Sequence, residues 1–196
     1  MTDSPDLATL LGGPVLDVAP RLLGAVLRHG EVAVRVSEVE CYDGADDPGS
    51  HAYRGRTARN AVMFGPPGRL YVYFTYGMHH CCNVVVGPVG RASAVLLRAG
   101  EVVDGLEVAR SRRGRSGDRD LARGPARLCQ ALGLTLDHDG ADLTVPPLTL
   151  TPGEPVAAYE RGPRVGLRGA PDRPWRYWIR GEPTVSGYRR ARPLSR

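Results

Sequence analysis

Two acidic side chains, Glu38 and Glu40, follow the alternating valines Val32, Val34 and Val36 and share their parity. In extended chain, residues of one parity share a face. The pattern therefore predicts two carboxylates continuing an apolar row that ends at Tyr42. Burial disfavours the charged form of a carboxylate and suits it to base chemistry. The competing reading is an ion pair with one of the chain's many arginines. Glu38, on the same face, would either tune Glu40 or hold an arginine, and the structural role is favoured. Further on, His51 stands in a polar loop, residues 43–60, with Arg54, Arg56 and Arg59. Arginines spaced through a glycine-containing loop suit phosphate contact, and plain solvation explains them equally well. A nucleophilic pairing of Cys41 with His51 is a weaker alternative. Parity puts Cys41 opposite Glu40, and no third orienting group is evident.

A third group is the aromatic stretch 71–86. Two runs of aromatic and β-branched residues flank Gly77 and Met78, which predicts a β-hairpin bent at Gly77. Tyr71, Tyr73 and Thr75 fall on one face; Val72, Phe74 and Tyr76 fall on the other. The tip carries Tyr76, Met78, His79 and His80. That much apolar and aromatic area at a turn wants a partner: a neighbouring loop, or base pairs into which it wedges.

The remaining elements must hold these groups in place. A short helix is expected around Leu7–Leu11 and a second over Val18–Leu27, capped by Asp17 and stopped near Gly30. Val32–Tyr42 reads as a strand. Gly65-Pro66-Pro67-Gly68 is a turn launching the hairpin. Ala92–Arg98 reads as a strand, Val102–Arg110 as a helix, and 111–124 as a mobile basic segment. Pro125–Leu132 has proline at the first helical position and Gly133 as its stop. The positive end of this helix, beside Arg123 and Arg127, could seat a phosphate, although an ordinary capped helix looks the same. Leu143–Leu150, Val156–Ala158 and Trp175–Ile179 read as strands, the last closing the core. Residues 161–168, including Arg164, form a basic extended segment.

Length and composition narrow the class. A chain of 196 residues is long enough for one well-filled core. The net charge of +5 favours a polyanionic partner. All 26 basic residues are arginine, so Schiff-base chemistry would fall to the N-terminal amine alone. The four cysteines form no C-x-x-C pair, and Cys81 and Cys82 point to opposite faces. A zinc site or disulfide framework is not expected, and buried thiols are. No apolar run approaches the roughly 20 residues of a bilayer span. With no basic leader visible at the N-terminus, a cytoplasmic protein is expected.

Several blocks, in order, resemble the alkyladenine DNA glycosylases, the 3-methyladenine DNA glycosylases of the mammalian type that also occur in bacteria. The blocks are Glu38-Val-Glu-Cys-Tyr42, His51-Ala-Tyr-Arg-Gly-Arg56, Met63-Phe-Gly-Pro-Pro-Gly68, Tyr71 through Asn83, Leu96-Leu-Arg-Ala99, Gly124 through Leu132 and Arg164-Val-Gly166. The resemblance implies an α+β fold and a single compact domain over 1–196; the ends, 1–13 and 189–196, are expected to fray, as chain termini do. It would be built on a curved antiparallel sheet with peripheral helices and a protruding DNA-inserting hairpin. It further implies a monomer acting on double-stranded DNA with damaged purines, near the nucleoid, without cofactor or metal. Carried over by position, Glu40 would be the base that activates water. Tyr42, His51 and Tyr73 would clamp the extruded purine, and Asn83 would press on its edge. Tyr76, with Met78, would fill the gap in the duplex. Arg98 would sit near the lesion's phosphate, with Arg54, Arg127 and Arg164 as further phosphate contacts. A non-catalytic binder of damaged nucleic acid is the rival, against which Glu40 argues because a carboxylate facing DNA repels phosphate. The sequence departs from the family pattern at Cys41 (alanine is usual), at Ala58 (proline is usual) and at His79-His80, where some members carry aromatics.

Overall fold

The computed structural model describes residues 7–75 and 77–191; Tyr76, assigned above to the hairpin tip, lies outside the described residues. Among the described residues nine strands join in one curled antiparallel sheet. Its main path runs β3–β4–β5–β2–β1–β7–β6, where β1 is Val26–His29, β2 Val32–Tyr42, β3 Leu70–Thr75, β4 His79–Val85, β5 Ala94–Asp104, β6 Thr144–Val145 and β7 Leu148–Thr151. Two more strands, β8 (Tyr159–Gly162) and β9 (Arg176–Ile179), attach where β9 pairs with β2. The helices are short: α1 Leu7–Leu11, α2 Val15–Val18, α3 Leu106–Arg113 and α4 Pro125–Leu132. The result is a compact α+β arrangement.

β2 has the predicted bounds, but its face assignment needs correction. Val32, Val34 and Val36 enter the main core, and then Val39 and Cys41 do, so the parity of the core residues changes. The cause is an irregularity in both strands of the β2–β5 pair. Val36 pairs with Gly100, Glu38 with Ala99 and Val39 with Leu97, leaving Ser37 and Arg98 each as an extra residue on its own strand. Such bulges bend a strand and re-aim its side chains. Glu38 and Glu40 therefore leave the valine row and face away from the core. The switch falls where β1, paired with Val32–Arg35, gives way to β9, paired with Glu38–Glu40, along the same edge of β2.

Other boundaries moved for physical reasons. The predicted helix Val18–Leu27 is instead the end of α2, a 3₁₀ turn Ala19–Leu22 and the start of β1. Pairing of Val26–His29 with both β2 and β7 outweighs helical spacing, and Asp17 sits inside α2 rather than capping it. Val102–Asp104 belongs to β5, because Val102 pairs with Val34 and Asp104 with Ala33; Gly105, at φ +70°, ends the strand before α3. The segment 111–124 is held: Arg110 pairs with Asp118, Arg113 donates to the Leu121 carbonyl and Arg123 to that of Val185. Val156–Ala158 is not a strand, and the expected Leu143–Leu150 strand is two, β6 and β7, around a Pro146–Pro147 turn. The α1 end is not frayed, since Leu10 and Leu11 are buried in the core. α4 packs its Leu128, Cys129, Ala131 and Leu132 face on the sheet, with Gly133 left-handed at its end as expected.

Candidate active site

The hairpin β3–β4 pairs Tyr71 with Asn83 and Tyr73 with Cys81, so these four side chains share one face and line a cavity of about 260 Å³. Glu40, Tyr42, Leu96 and Arg98 contribute from β2 and β5; His51, Val165 and Leu167 contribute from loops, Met63 from the 3₁₀ turn Ala61–Phe64, and Pro125 from the start of α4. The opposite hairpin face feeds the core through Val72 and Cys82, as alternation requires. Gly49 allows the loops to close on the cavity, since a Cβ there would lie 2.4 Å from Leu167 Cδ2 and 2.8 Å from Arg164 Nη2.

Glu40 is buried, with a side chain 1% exposed. Its Oε1 accepts from the Val165 N–H at 2.7 Å and its Oε2 from the Tyr42 hydroxyl at 2.9 Å. Arg98 Nη1 stands 3.5 Å from Oε1. Burial, with the Glu40 charge second, pushes the Tyr42 phenol well above its usual range, so Tyr42 keeps its proton and donates it. Burial likewise raises Tyr73, raises Tyr71 to about 12 and raises the Cys81 thiol to about 11.

The aromatic groups stand around this carboxylate. Tyr71 and Tyr73 stack with centroids 5.7 Å apart, and His51 meets Tyr73 edge-on at 4.5 Å. His51 Nδ1 lies 3.1 Å from the Tyr71 hydroxyl. Burial of the imidazole, then the Arg59 charge, lowers its pKa, which favours the neutral ring. Asn83 is buried and donates through Nδ2 to the Tyr71 carbonyl at 3.2 Å. Tyr42, His51, Tyr73 and Asn83 thus line one cavity with Glu40.

The arginines divide. Arg54 and Arg127 are exposed. Arg98 is buried in the cavity floor, bound to Glu38. Arg164 is corrected: its side chain is fully buried, paired with Asp47 and donating to the Cys41 carbonyl at 2.8 Å. A guanidinium so enclosed cannot reach a phosphate. It lies 4.8 Å from the Tyr42 ring centroid and 5.2 Å from that of Trp175, bracing the site wall from behind. Met78 is 68% exposed at the hairpin tip. The Cys41–His51 alternative fails, because Cys41 is in the core with its thiol directed at the Val15 carbonyl, while His51 is at the cavity. Glu38 has no place in the cavity lining, and its arginine partners bear out the ion-pair reading.

Sequence reasoning gave no site role to Tyr71, Cys81, Asp47 or Val165. Tyr71 and Cys81 carried a usable signal, since Tyr71 shares parity with Tyr73 and pairing places Cys81 opposite it. Val165 acts through its backbone and left none. Among the described residues no helix is long and apolar enough to cross a membrane, and no cluster of three His, Cys, Asp or Glu side chains could hold a metal ion.

A family model described as methylpurine-DNA glycosylase matches residues 9–183. The chain belongs to this family of DNA-repair hydrolases. A Streptomyces avermitilis protein with the provisional name 3-methyladenine DNA glycosylase is 58% identical, covering 93% of this chain and 91% of its own. Similarly named proteins of Leifsonia xyli subsp. xyli and Mycobacterium leprae are 59% and 51% identical, covering 89% and 93% of this chain and 88% of their own.

Proposed function

We propose that this chain is a monofunctional glycosylase that releases 3-methyladenine and 7-methylguanine from double-stranded DNA, leaving an abasic site with an uncut backbone. Hypoxanthine and ethenoadenine are the further purines within its chemistry. The observation that carries the reading is the buried Glu40 carboxylate, oriented by Tyr42 and Val165, at the floor of a cavity walled by tyrosines.

The target bond lies inside the duplex, so the nucleotide must first be rotated out, at a cost of a few kcal/mol. The hairpin, through Tyr76 and Met78, fills the vacated space. Damaged purines pair and stack poorly and so cost less to extrude. Tyr42, Tyr73 and His51 then clamp the base, with stacking worth about 1–3 kcal/mol per base. A cationic alkylpurine gains about 0.5–2 kcal/mol more over an electron-rich ring. Asn83 presses on the purine edge and disfavours the exocyclic amine of guanine. Cleavage resembles glycoside hydrolysis, with positive charge developing at the sugar carbon. Glu40 takes a proton from water and stabilises that charge, and the cationic base leaves without needing an acid. Arg54 and Arg127 hold flanking phosphates. With no lysine, no amine on a side chain can attack the sugar carbon and go on to cut the strand.

The test is release of free base from dimethyl-sulfate-treated duplex DNA. Glu40→Gln should slow release by roughly 10²–10⁴, the range for a lost general base, while the variant still binds the duplex. A wild-type chain that binds but frees no base would refute the reading.

A further inference from the structure

The most heavily bonded side chain near the cavity is one the chemistry above does not use. Glu38 is wholly buried, yet both its oxygens are engaged from three directions. Oε1 accepts from Arg98 Nε at 2.9 Å, Arg176 Nε at 2.5 Å and Ser186 Oγ at 3.1 Å; Oε2 accepts from the Ser186 N–H at 2.7 Å. Ser186 Oγ also lies 3.3 Å from Arg98 Nε, and Arg176 Nη2 donates to the Ser186 carbonyl at 2.9 Å. Arg98 thus has its Nε committed to Glu38 while its Nη1 stops 3.5 Å short of Glu40.

We infer that Glu38 is a positioning residue of the reaction: it holds Arg98 back from Glu40, so that the carboxylate keeps an acceptor position open for water. This rests on the reading of Glu40 as the base. A carboxylate offers about four acceptor positions. On Glu40, Tyr42 and Val165 take one each. An arginine left alone with a carboxylate closes into a two-pronged pair at about 2.7–2.9 Å, and such a fork would occupy the other two. Glu38 prevents this by binding the Nε edge. The guanidinium remains beside Glu40 at 3.5 Å, but not so close as to displace the nucleophile. The paired irregularity leaves Arg98 between the rung that joins Glu38 to Ala99 and the one that joins Val39 to Leu97, one step before the rung of Glu40 with Leu96. Arg176 serves as the internal control: it sits opposite Glu40 across the β2–β9 pair, but its guanidinium bonds the same Glu38 carboxylate and the Ser186 carbonyl, not the Glu40 carboxylate.

The experiment measures single-turnover release of methylated purines from dimethyl-sulfate-treated duplex, yielding a maximal rate and a half-saturating enzyme concentration. It compares wild type, Glu40→Gln, Glu38→Gln and Arg176→Gln, each checked for folding by thermal unfolding. Glu38→Gln should lower the maximal rate at least tenfold with half-saturation within threefold of wild type, while Arg176→Gln stays within threefold in both. Equal rate losses in the two variants, or no loss in Glu38→Gln, would overturn the inference. Should Glu38→Gln not fold, Ser186→Ala removes only the hydroxyl that touches both Glu38 and Arg98 and steadies their direct bond. It should lower the rate severalfold at unchanged half-saturation, and an unaltered rate would overturn the inference. An undiminished rate in Glu40→Gln would instead refute the base assignment, a separable failure.

Discussion

The pair between Arg164 and Asp47 offers the sharpest test of what holds the site wall in place. Both side chains are 0% exposed. Asp47 Oδ1 lies 2.7 Å from Arg164 Nη2, and the second oxygen meets Nη1, forming a fork inside the protein. Replacing Asp47 with alanine leaves a buried guanidinium whose remaining acceptor is the Cys41 carbonyl. Removing one partner of a buried ion pair costs about 3–5 kcal/mol, because the other charge stays desolvated. Total stability for a domain is about 5–15 kcal/mol, so this is a large fraction of it. At about 2–4 °C per kcal/mol for a chain of this size, Tm should fall by roughly 6–20 °C. Urea unfolding at neutral pH measures the same loss. The double variant Asp47→Ala with Arg164→Met should recover most of it, since an apolar pair removes the stranded charge. A single variant within about 1 kcal/mol of wild type would mean the guanidinium finds water or another partner, and the reasoning from burial would be wrong.

Gly100→Ala places a Cβ 2.4 Å from Val34 Cγ1 and 2.5 Å from the Arg35 carbonyl oxygen, so urea unfolding should show a loss of about 1–3 kcal/mol from overpacking. His51 should titrate below 6.5 by NMR, because burial and Arg59 depress it. Its folded-state pKa lies below the unfolded value. The stability tied to its neutral form is therefore complete above about 6.5 and lost as pH falls through the folded pKa. His51→Gln should flatten that part of the profile. Arg54→Ala and Arg127→Ala, both at exposed positions, should weaken binding to undamaged duplex and each reduce the salt slope by about 0.9; an unchanged slope would remove that side chain from the interface.

Alternation was enough to place the hairpin faces, because β3 and β4 are regular and Tyr71, Tyr73, Cys81 and Asn83 fall together without exception. The helix Pro125–Leu132 was equally legible, since proline and glycine mark its ends. Alternation misled at β2, where a local bulge changes which parity meets the core, and nothing in Ser37 itself announces it. Helical spacing misled at Val26–His29 and Val102–Asp104, where partners distant in sequence decided for strand over helix. Arg164 was misread for a related reason: the composition of a segment says that it is basic, but not that Asp47, more than a hundred residues earlier, neutralises it inside. Family resemblance named Glu40 and its aromatic neighbours. Glu38, by contrast, could be understood only once Arg98, Arg176 and Ser186 were seen to converge on it.

The matched irregularity at Ser37 and Arg98 carries a consequence for how this chain can change its length. The two surplus residues are far apart in the gene but opposite each other in space, and together they keep the pairing beyond them in step. Excising Ser37 alone would leave its neighbour strand one residue long, misaligning the rungs that hold Glu40 against Leu96. A tolerated deletion at one position should therefore be accompanied by a deletion at the other, and any transplant of this acid group into another sheet must carry both segments as a unit.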